Sequence, residues 1–438
     1  MPGGHQIMRR IPTWLIAAGF GVASGSTESA ASGFMVRENS AASLATVFAG
    51  NASRADEVAT VFNNPAGMSW LAGTQTQIGG TGIFPSVNFE GTATVFDLGG
   101  VGTPLPSDNS RNNGQFALVP HAYAVFDLHE RLKAGIAFTV PFGNTIDYSE
   151  DWSGRYVNIK TAALSVDINP NLSYKLTDRI AIAGGISLQY LKLDLSSKIP
   201  QFVIFGDPTA PDGGFLLEVD NWGWGYNLGL LVEPWDGTRI GVTYRSGIDH
   251  RMEGTLTFDP TTHPLIGLDS PAYTDISVPA SITGGFTQQL TESFSLSADV
   301  QFTQWNTFKQ VAVYSDNPPV VFHEEYRDTW MFSIGGVYRL NQDWTLRAGV
   351  GFDESPVVDG FRDTGVPDKD RYMVGLGFGY QIAPSVSLDV GYAHYFAAGH
   401  ATMNESINRI EPITGAVILN GRYDNHIDYL SFSLRTAL

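Results

Sequence analysis

Residues 372–381 read YMVGLGFGYQ, and residues 344–353 read WTLRAGVGFD. In the first, Tyr372, Val374, Leu376, Phe378 and Tyr380 alternate with Met373, Gly375, Gly377, Gly379 and Gln381. In the second, Trp344, Leu346, Ala348, Val350 and Phe352 alternate with Thr345, Arg347, Gly349, Gly351 and Asp353. A period of two is the signature of a β-strand with two unlike faces. The spacing Gly375-x-Gly377-x-Gly379 imitates a nucleotide-binding fingerprint, but it opens no helix and reads as small residues on one strand face. A third stretch sets Leu164, Val166, Ile168, Leu172 and Tyr174 against Ser165, Asp167, Asn169, Asn171, Ser173 and Lys175.

Outward from these segments the same period runs from Gln75 to the C-terminus. A soluble sandwich also alternates, so three further features carry the assignment. Tyr, Trp and Phe recur at strand ends, as in interfacial girdles. Charges lie in mid-strand on the polar face, namely Asp167, Glu233, Asp299, Arg339, Arg347 and Asp389. That suits a wet or plugged lumen, not a dry core. Finally, short turns alternate with long Pro- and Gly-rich connections. The short ones are 129–131, 177–179, 235–237, 291–293, 341–343 and 383–384. The long ones lie near 91–114, 149–160, 196–220, 259–278, 315–328, 354–369 and 396–425. Six turns and seven loops join fourteen strands. These are placed near 75–90, 115–128, 132–148, 161–176, 180–195, 221–235, 239–258, 280–290, 294–314, 329–340, 344–353, 370–382, 385–395 and 426–438. The expected fold is all-β, a 14-stranded antiparallel transmembrane β-barrel in the bacterial outer membrane, with periplasmic turns and extracellular loops.

Composition agrees. Only 16% of the 438 residues are charged, against about 25% in soluble domains. The net charge of -18 argues against nucleic-acid binding. Cys is absent, and a closed barrel reaches stability without disulfides by pairing every backbone group.

The N-terminus supplies two more pieces. Arg9 and Arg10 precede an apolar run over 11–23 and the small residues Ser29-Ala30-Ala31, which read as a signal peptide over 1–31. Met8 is an alternative start. Residues 32–71 then read SGFMVRENSAASLATVFAGNASRADEVATVFNNPAGMSWL. This stretch of small residues, with helical patches at 41–49 and 56–62, is too short to build its own core. It is expected to fill the barrel as a plug over 32–73, with the barrel over 74–438. Its Arg347- and Asp299-type partners in the wall should be paired with the plug or with each other.

The order Gly33-Phe34, Glu38, small residues, Asn63-Asn64-Pro65-Ala66-Gly67 and first strand resembles the hatch segment of the FadL family, outer-membrane transporters of long-chain fatty acids and related hydrocarbons. The resemblance runs through the whole mature chain. It gives Asn64, Pro65 and Ala66 the place of a hatch motif. Asn64 is expected to hydrogen-bond the hatch to the wall near the third strand. The third strand carries Pro141-Phe142-Gly143 where the family has a kink that opens the wall sideways. A mid-strand Pro removes a ladder donor and belongs at an edge or bulge; the alternative is a strand that ends near Val140. Val119-Pro120 and the stretch Trp152-Ser153-Gly154-Arg155-Tyr156 also match family features, and Arg155 could meet a carboxylate. The chain departs from the pattern in ending on Leu438 where such strands usually end in Phe.

The resemblance implies passive uptake of a hydrophobic molecule, captured in an extracellular apolar vestibule, passed to an inner pocket and released sideways through the kink. Phe202, Phe205, Phe215, Trp222 and Trp224 are the vestibule candidates, and Phe34 is expected to reach the inner pocket. The same fold could carry aromatic hydrocarbons or alkanes. A general diffusion porin is the alternative from another class, and it predicts an open lumen without a hatch. An outer-membrane hydrolase would need a nucleophile with a base, and no spacing suggests one; no enzyme activity, cofactor or metal is expected. Expected partners are fatty acids or hydrocarbons, outer-membrane lipid and lipopolysaccharide, with the protein acting as a monomer.

Overall fold

The computed structural model describes residues 33–97, 100–106, 110, 113–207, 209–403, 406–407 and 417–438. The signal-peptide expectation over 1–31 lies outside the described residues.

Fourteen strands close an antiparallel barrel. The first seven are β1 (Gln75–Phe96), β2 (Ala117–His129), β3 (Leu132–Thr139 and Gly143–Asp147), β4 (Lys160–Thr177), β5 (Ile180–Ile199), β6 (Gly213–Trp235) and β7 (Thr238–Arg245 and Ile248–Phe258). The rest are β8 (Ser270–Val278 and Ser281–Gln289), β9 (Phe294–Thr303 and Gln310–Ser315), β10 (Thr329–Arg339), β11 (Trp344–Asp353), β12 (Arg371–Ala383), β13 (Val386–Ala397) and β14 (Val417–Ala437). Closure is by β14 on β1, from Gln75↔Ala437 to Val95↔Val417. No helix among the described residues is long and apolar enough to cross a membrane.

Several strands run further than the alternation suggested. β6 begins at Gly213 and not near 221, β8 at Ser270 and not near 280, and β14 at Val417 and not near 426. The physical reason is that the apolar residues change face above the membrane: β6 and β14 keep their inward parity while the apolar set moves onto it, as Leu217 and Val219 do in β6, and in β7 and β8 the backbone itself shifts phase. In lower β7, Ile240 and Val242 face outward; above the break at 246–247, Asp249, Arg251 and Glu253 face outward while Ile248 and Met252 are buried. β8 shifts phase in the same way at Pro279–Ala280, directly across the sheet. A one-residue irregularity moves every following side chain to the other face. The lower barrel thus turns its apolar face to lipid. The extracellular extensions turn theirs inward and expose polar residues.

The N-terminal residues form short helices at α1 (Ala41–Ala45) and α2 (Thr60–Asn63) and a 3-10 turn at Pro65–Trp70. They pack on the small inward residues of the strands. A side-chain carbon at Gly241 or Gly391 would collide with the backbone of Ala52 or Ala41. The glycine-rich strand faces are therefore the bed of the plug. Asp299 accepts from the amides of Gly50 (2.7 Å) and Ala52 (2.9 Å), and Arg347 pairs with Asp389 at 2.7 Å. Glu233 takes Trp70 Nε1–H at 2.9 Å and Arg239 at 3.0 Å, and buried Asp167 lies 3.9 Å from Arg245. Arg339 departs from the expected mid-strand place: it ends β10 and is exposed at the short-turn rim.

Candidate functional site

Asn64 occupies the start of the 3-10 turn, with Pro65 in its first position, where a missing N–H costs nothing. Its Nδ2 donates to Ala52 O (2.6 Å) and to Leu230 O (3.1 Å), and its Oδ1 accepts from Ala66 N–H (3.2 Å). The amide thus ties two parts of the plug to the wall. The wall strand is β6, which corrects the expectation of the third strand.

β3 breaks at Val140-Pro141-Phe142. Every residue from 139 to 146 is buried, so this segment has left the two-faced wall and turned inward. Its backbone groups find the plug: Val36 N–H donates to Pro141 O (2.8 Å), and Gly143 N–H donates to Phe34 O (2.8 Å). Ser165 of β4 fixes the bend from the other side, its Oγ accepting from Phe142 N–H (2.8 Å) and donating to Phe142 O (2.9 Å). Across the wall, the β2–β3 ladder stops at Ala122↔Phe138 and resumes only as the bridge Gly114↔Ile146. Among the described residues, the intervening stretch carries no ladder between those strands.

Three cavities follow the barrel axis. The outer one, of about 620 Å³, lies between β5, β6, β7 and the hairpin after β9, and is lined by Ile199, Phe215, Leu256 and Val313. It shares Leu195, Phe215 and Phe322 with a middle cavity of about 890 Å³, whose apolar wall includes Phe34, Leu191, Leu193, Ile276, Phe308 and Val311. The inner cavity, of about 880 Å³, is more polar and touches Met35, Arg37, Pro141, Phe142, Arg245 and Asp299. Phe34 stands between the middle and inner spaces. Its ring is packed against Trp305 (4.8 Å), Phe308 (5.2 Å) and Phe142 (5.8 Å).

Of the vestibule candidates, Phe215 lines both apolar cavities. Phe202 packs beside Tyr156 at 6.4 Å, and Phe205 is 42% exposed against His263 at 4.8 Å, both outside these linings. Trp222 and Trp224 are a correction: they point outward from β6, 58% and 70% exposed. Their parity is that of Tyr226, Leu228 and Leu230 on the lipid side, so they belong to an interfacial girdle and not to the vestibule. The sequence reading missed Leu191, Leu193, Leu195, Trp305 and Phe308. The leucines alternate with Lys192 and Asp194, a polar outer face that marks a strand above the membrane.

The stretch Trp152 to Tyr156 packs beside the loop ends of the strands. Trp152 stacks on Tyr148 (3.9 Å), and Arg155 meets Asp212 at 3.0 Å. The loop after β11 covers the middle cavity with Thr364, Gly365 and Val366. In that loop Arg362 holds Asp359 at 2.7 Å. Burial acts to raise the Asp359 carboxyl, but Arg362 outweighs it and holds the group below its ordinary range.

Residues 22–436 match the sequence profile of the family described as Outer membrane protein transport protein (OMPP1/FadL/TodX). The chain belongs to this family. It is accordingly an outer-membrane protein of a transporter family. It is 25% identical over 363 residues to the Long-chain fatty acid transport protein of Escherichia coli, covering 76% of this chain and 79% of that one. Among solved structures, a Pseudomonas aeruginosa FadL homologue superposes with a TM-score of 0.84 at 24% identity, covering 92% of this chain and 99% of that one. The Pseudomonas putida toluene transporter TodX superposes with a TM-score of 0.65 at 18% identity, covering 92% and 99%. Both show the shared fold.

Proposed function

We propose that this protein takes long-chain fatty acids or related hydrophobic molecules across the outer membrane without an energy source. The route runs from the outer cavity to the middle one, past Phe34, and sideways through the break in β3 into the bilayer. The observation that carries this reading is the mainly apolar lining that the two cavities share at Phe215 and that continues to Phe34, whose ring meets Phe142 in the broken strand. Transfer of an alkyl chain is favourable by about 0.8 kcal/mol per methylene. A route with no deep trap therefore suffices. The fatty-acid class comes from the E. coli relative; the toluene transporter of the same fold makes a monoaromatic hydrocarbon the second reading, and the same apolar walls suit it.

In this reading residues 32–73 act as the plug, 74–438 as the barrel, and Pro141, Phe142 and Gly143 as the exit. Closure of the barrel within one chain supports a monomer. The outward polar band of Asp249, Arg251, Glu253 and Asp275 suits the lipopolysaccharide level.

The test is to straighten β3 with Pro141→Thr and Gly143→Val together, which restores a donor and β-propensity. Ligand binding from outside should persist and uptake by cells should collapse. Normal uptake through a wall shown by cross-linking to be closed would reject the lateral exit.

A further inference from the structure

The extracellular extensions of β5 to β9 present an outward face that the uptake route does not use. Its lower edge is formed by Trp224 and by Trp222, which stands opposite Tyr190 at the top of the lipid-facing girdle. One step above that pair the outward residues are no longer aliphatic. The register sets Lys192, Asp220, Glu253, Tyr273 and Tyr314 side by side across five strands. Four interstrand spacings make this row roughly 19 Å wide.

Within the band one cluster is ordered by stacking. Tyr273 and Tyr314 lie with ring centroids 5.0 Å apart and planes inclined by 20°. The Arg251 guanidinium sits over the Tyr273 ring at 4.3 Å. An arginine held on an aromatic ring keeps its N–H groups at the edge, pre-oriented for a partner. Its carboxylate contacts are long, 3.8 Å to Glu253 and 3.9 Å to Asp275. Both exceed hydrogen-bond length, so those donors stay open. Lower down, Trp222 leans on Tyr190 at 5.5 Å and leaves its indole exposed. The Tyr190 hydroxyl donates to Asp220 Oδ2 at 2.7 Å, which fixes that carboxylate in the row.

This mixture does not suit hydrocarbon, where Asp220, Arg251 and Glu253 would be desolvated. It suits a sugar. The C–H faces of a pyranose pack on exposed aromatic rings, its hydroxyls donate to carboxylates, and an acidic substituent takes the guanidinium. We propose that this band is a docking surface for the saccharide head group of an outer-leaflet glycolipid, centred on Arg251, Tyr273 and Tyr314. The occupant follows from continuity with the membrane interface. The band begins where the girdle ends, so the neighbour at this height is the sugar layer of the outer leaflet.

The inference rests on reading this band as the lipopolysaccharide level, and it is independent of the cargo. The test uses the purified full-length protein in detergent, titrated by native mass spectrometry. The probes are a rough lipopolysaccharide that carries core sugars and cardiolipin, which has two phosphates and no sugar ring. The lipopolysaccharide is expected to bind about tenfold more tightly, the scale of one hydrogen bond to a charged group. Arg251→Gln with Tyr314→Ser changes two exposed side chains and should leave heat-modifiability intact. It should reduce the preference several-fold and leave cardiolipin binding and cargo uptake unchanged. Excess EDTA should leave the preference in place. Equal affinity for the two lipids, a preference that survives the variant, or one abolished by EDTA, as expected of cations bridging phosphate to carboxylates, would each overturn the docking surface. The level is read separately, from an environment-sensitive dye on Thr255→Cys in proteoliposomes, expected to report a polar setting. Emission typical of hydrocarbon would overturn the level reading itself and the docking surface with it.

Discussion

One of the carboxylates that anchor the plug to the wall can be removed without touching the ladder. Asp299 sits on β9, opposite Gly285 and Ser333, and takes the amides of Gly50 and Ala52 at 2.7 and 2.9 Å. Gly50 has a positive φ of 93°, the left-handed turn that presents both amides to one side chain. Each hydrogen bond to a charged group contributes about 1.5–3 kcal/mol. In Asp299→Ala both are lost and two buried N–H groups are stranded, so the local cost is about 3–6 kcal/mol. Asp299→Asn keeps one acceptor and turns an N–H toward the other amide, for about half that cost. The plug should then open locally, at about tenfold per 1.4 kcal/mol.

Hydrogen exchange at Gly50 and Ala52 reads this directly, and should accelerate by two to four orders of magnitude, about 10²–10⁴, in Asp299→Ala. Ion conductance in planar bilayers should rise in the same order: wild type, Asn, Ala. Heat-modifiability of the barrel should not change, because the strand pairing is untouched. Exchange at both amides within about threefold of wild type, in a folded Asp299→Ala barrel, would show that the carboxylate contributes nothing to holding this part of the plug.

Asn64→Ala removes contacts to Ala52, Leu230 and Ala66 together; uptake should fall several-fold and conductance should rise, while the barrel assembles normally in a heat-shift gel. Trp222→Ala with Trp224→Ala should leave ligand binding within about twofold of wild type but reduce membrane insertion, measured as the folded fraction in vesicles; a large loss of binding would return these residues to the vestibule.

Much of the barrel is legible because lipid and plug impose opposite demands on one strand. In β12, Tyr372, Val374 and Leu376 must meet lipid, and Gly375 must admit the plug backbone. Period and residue size both carry that signal. Pro141 is legible for a related reason, since a ring without an N–H in mid-ladder forces an exception. The cavity was harder to read. Leu191, Leu193 and Leu195 keep the inward parity of Ser187 and Gln189, while the outward set passes from Ile186 and Leu188 to Lys192 and Asp194, so the alternation of apolar residues changes register within one strand. In β7 and β8 the faces exchange instead at irregularities at 246–247 and 279–280, whose residues, Ser246-Gly247 and Pro279-Ala280, fit an ordinary turn equally well.

Trp305 and Phe308 reach Phe34 only because β9 is interrupted by one 3-10 turn at Trp305–Thr307, a contact between residues far apart in the chain. The division has a physical root. A strand's two faces are fixed by its immediate solvent, so each strand states them alone. A binding cavity is fixed by which strands and loops meet around it, and that is decided by neighbours. In this barrel the shift occurs in adjacent strands at one height, near where β3 also breaks. The lumen therefore changes from polar to apolar at the level of the gap between β2 and β3. In the uptake route proposed above, an apolar molecule leaving the middle cavity would meet the more polar inner cavity beside that gap, which favours the sideways path into lipid over the path through the plug.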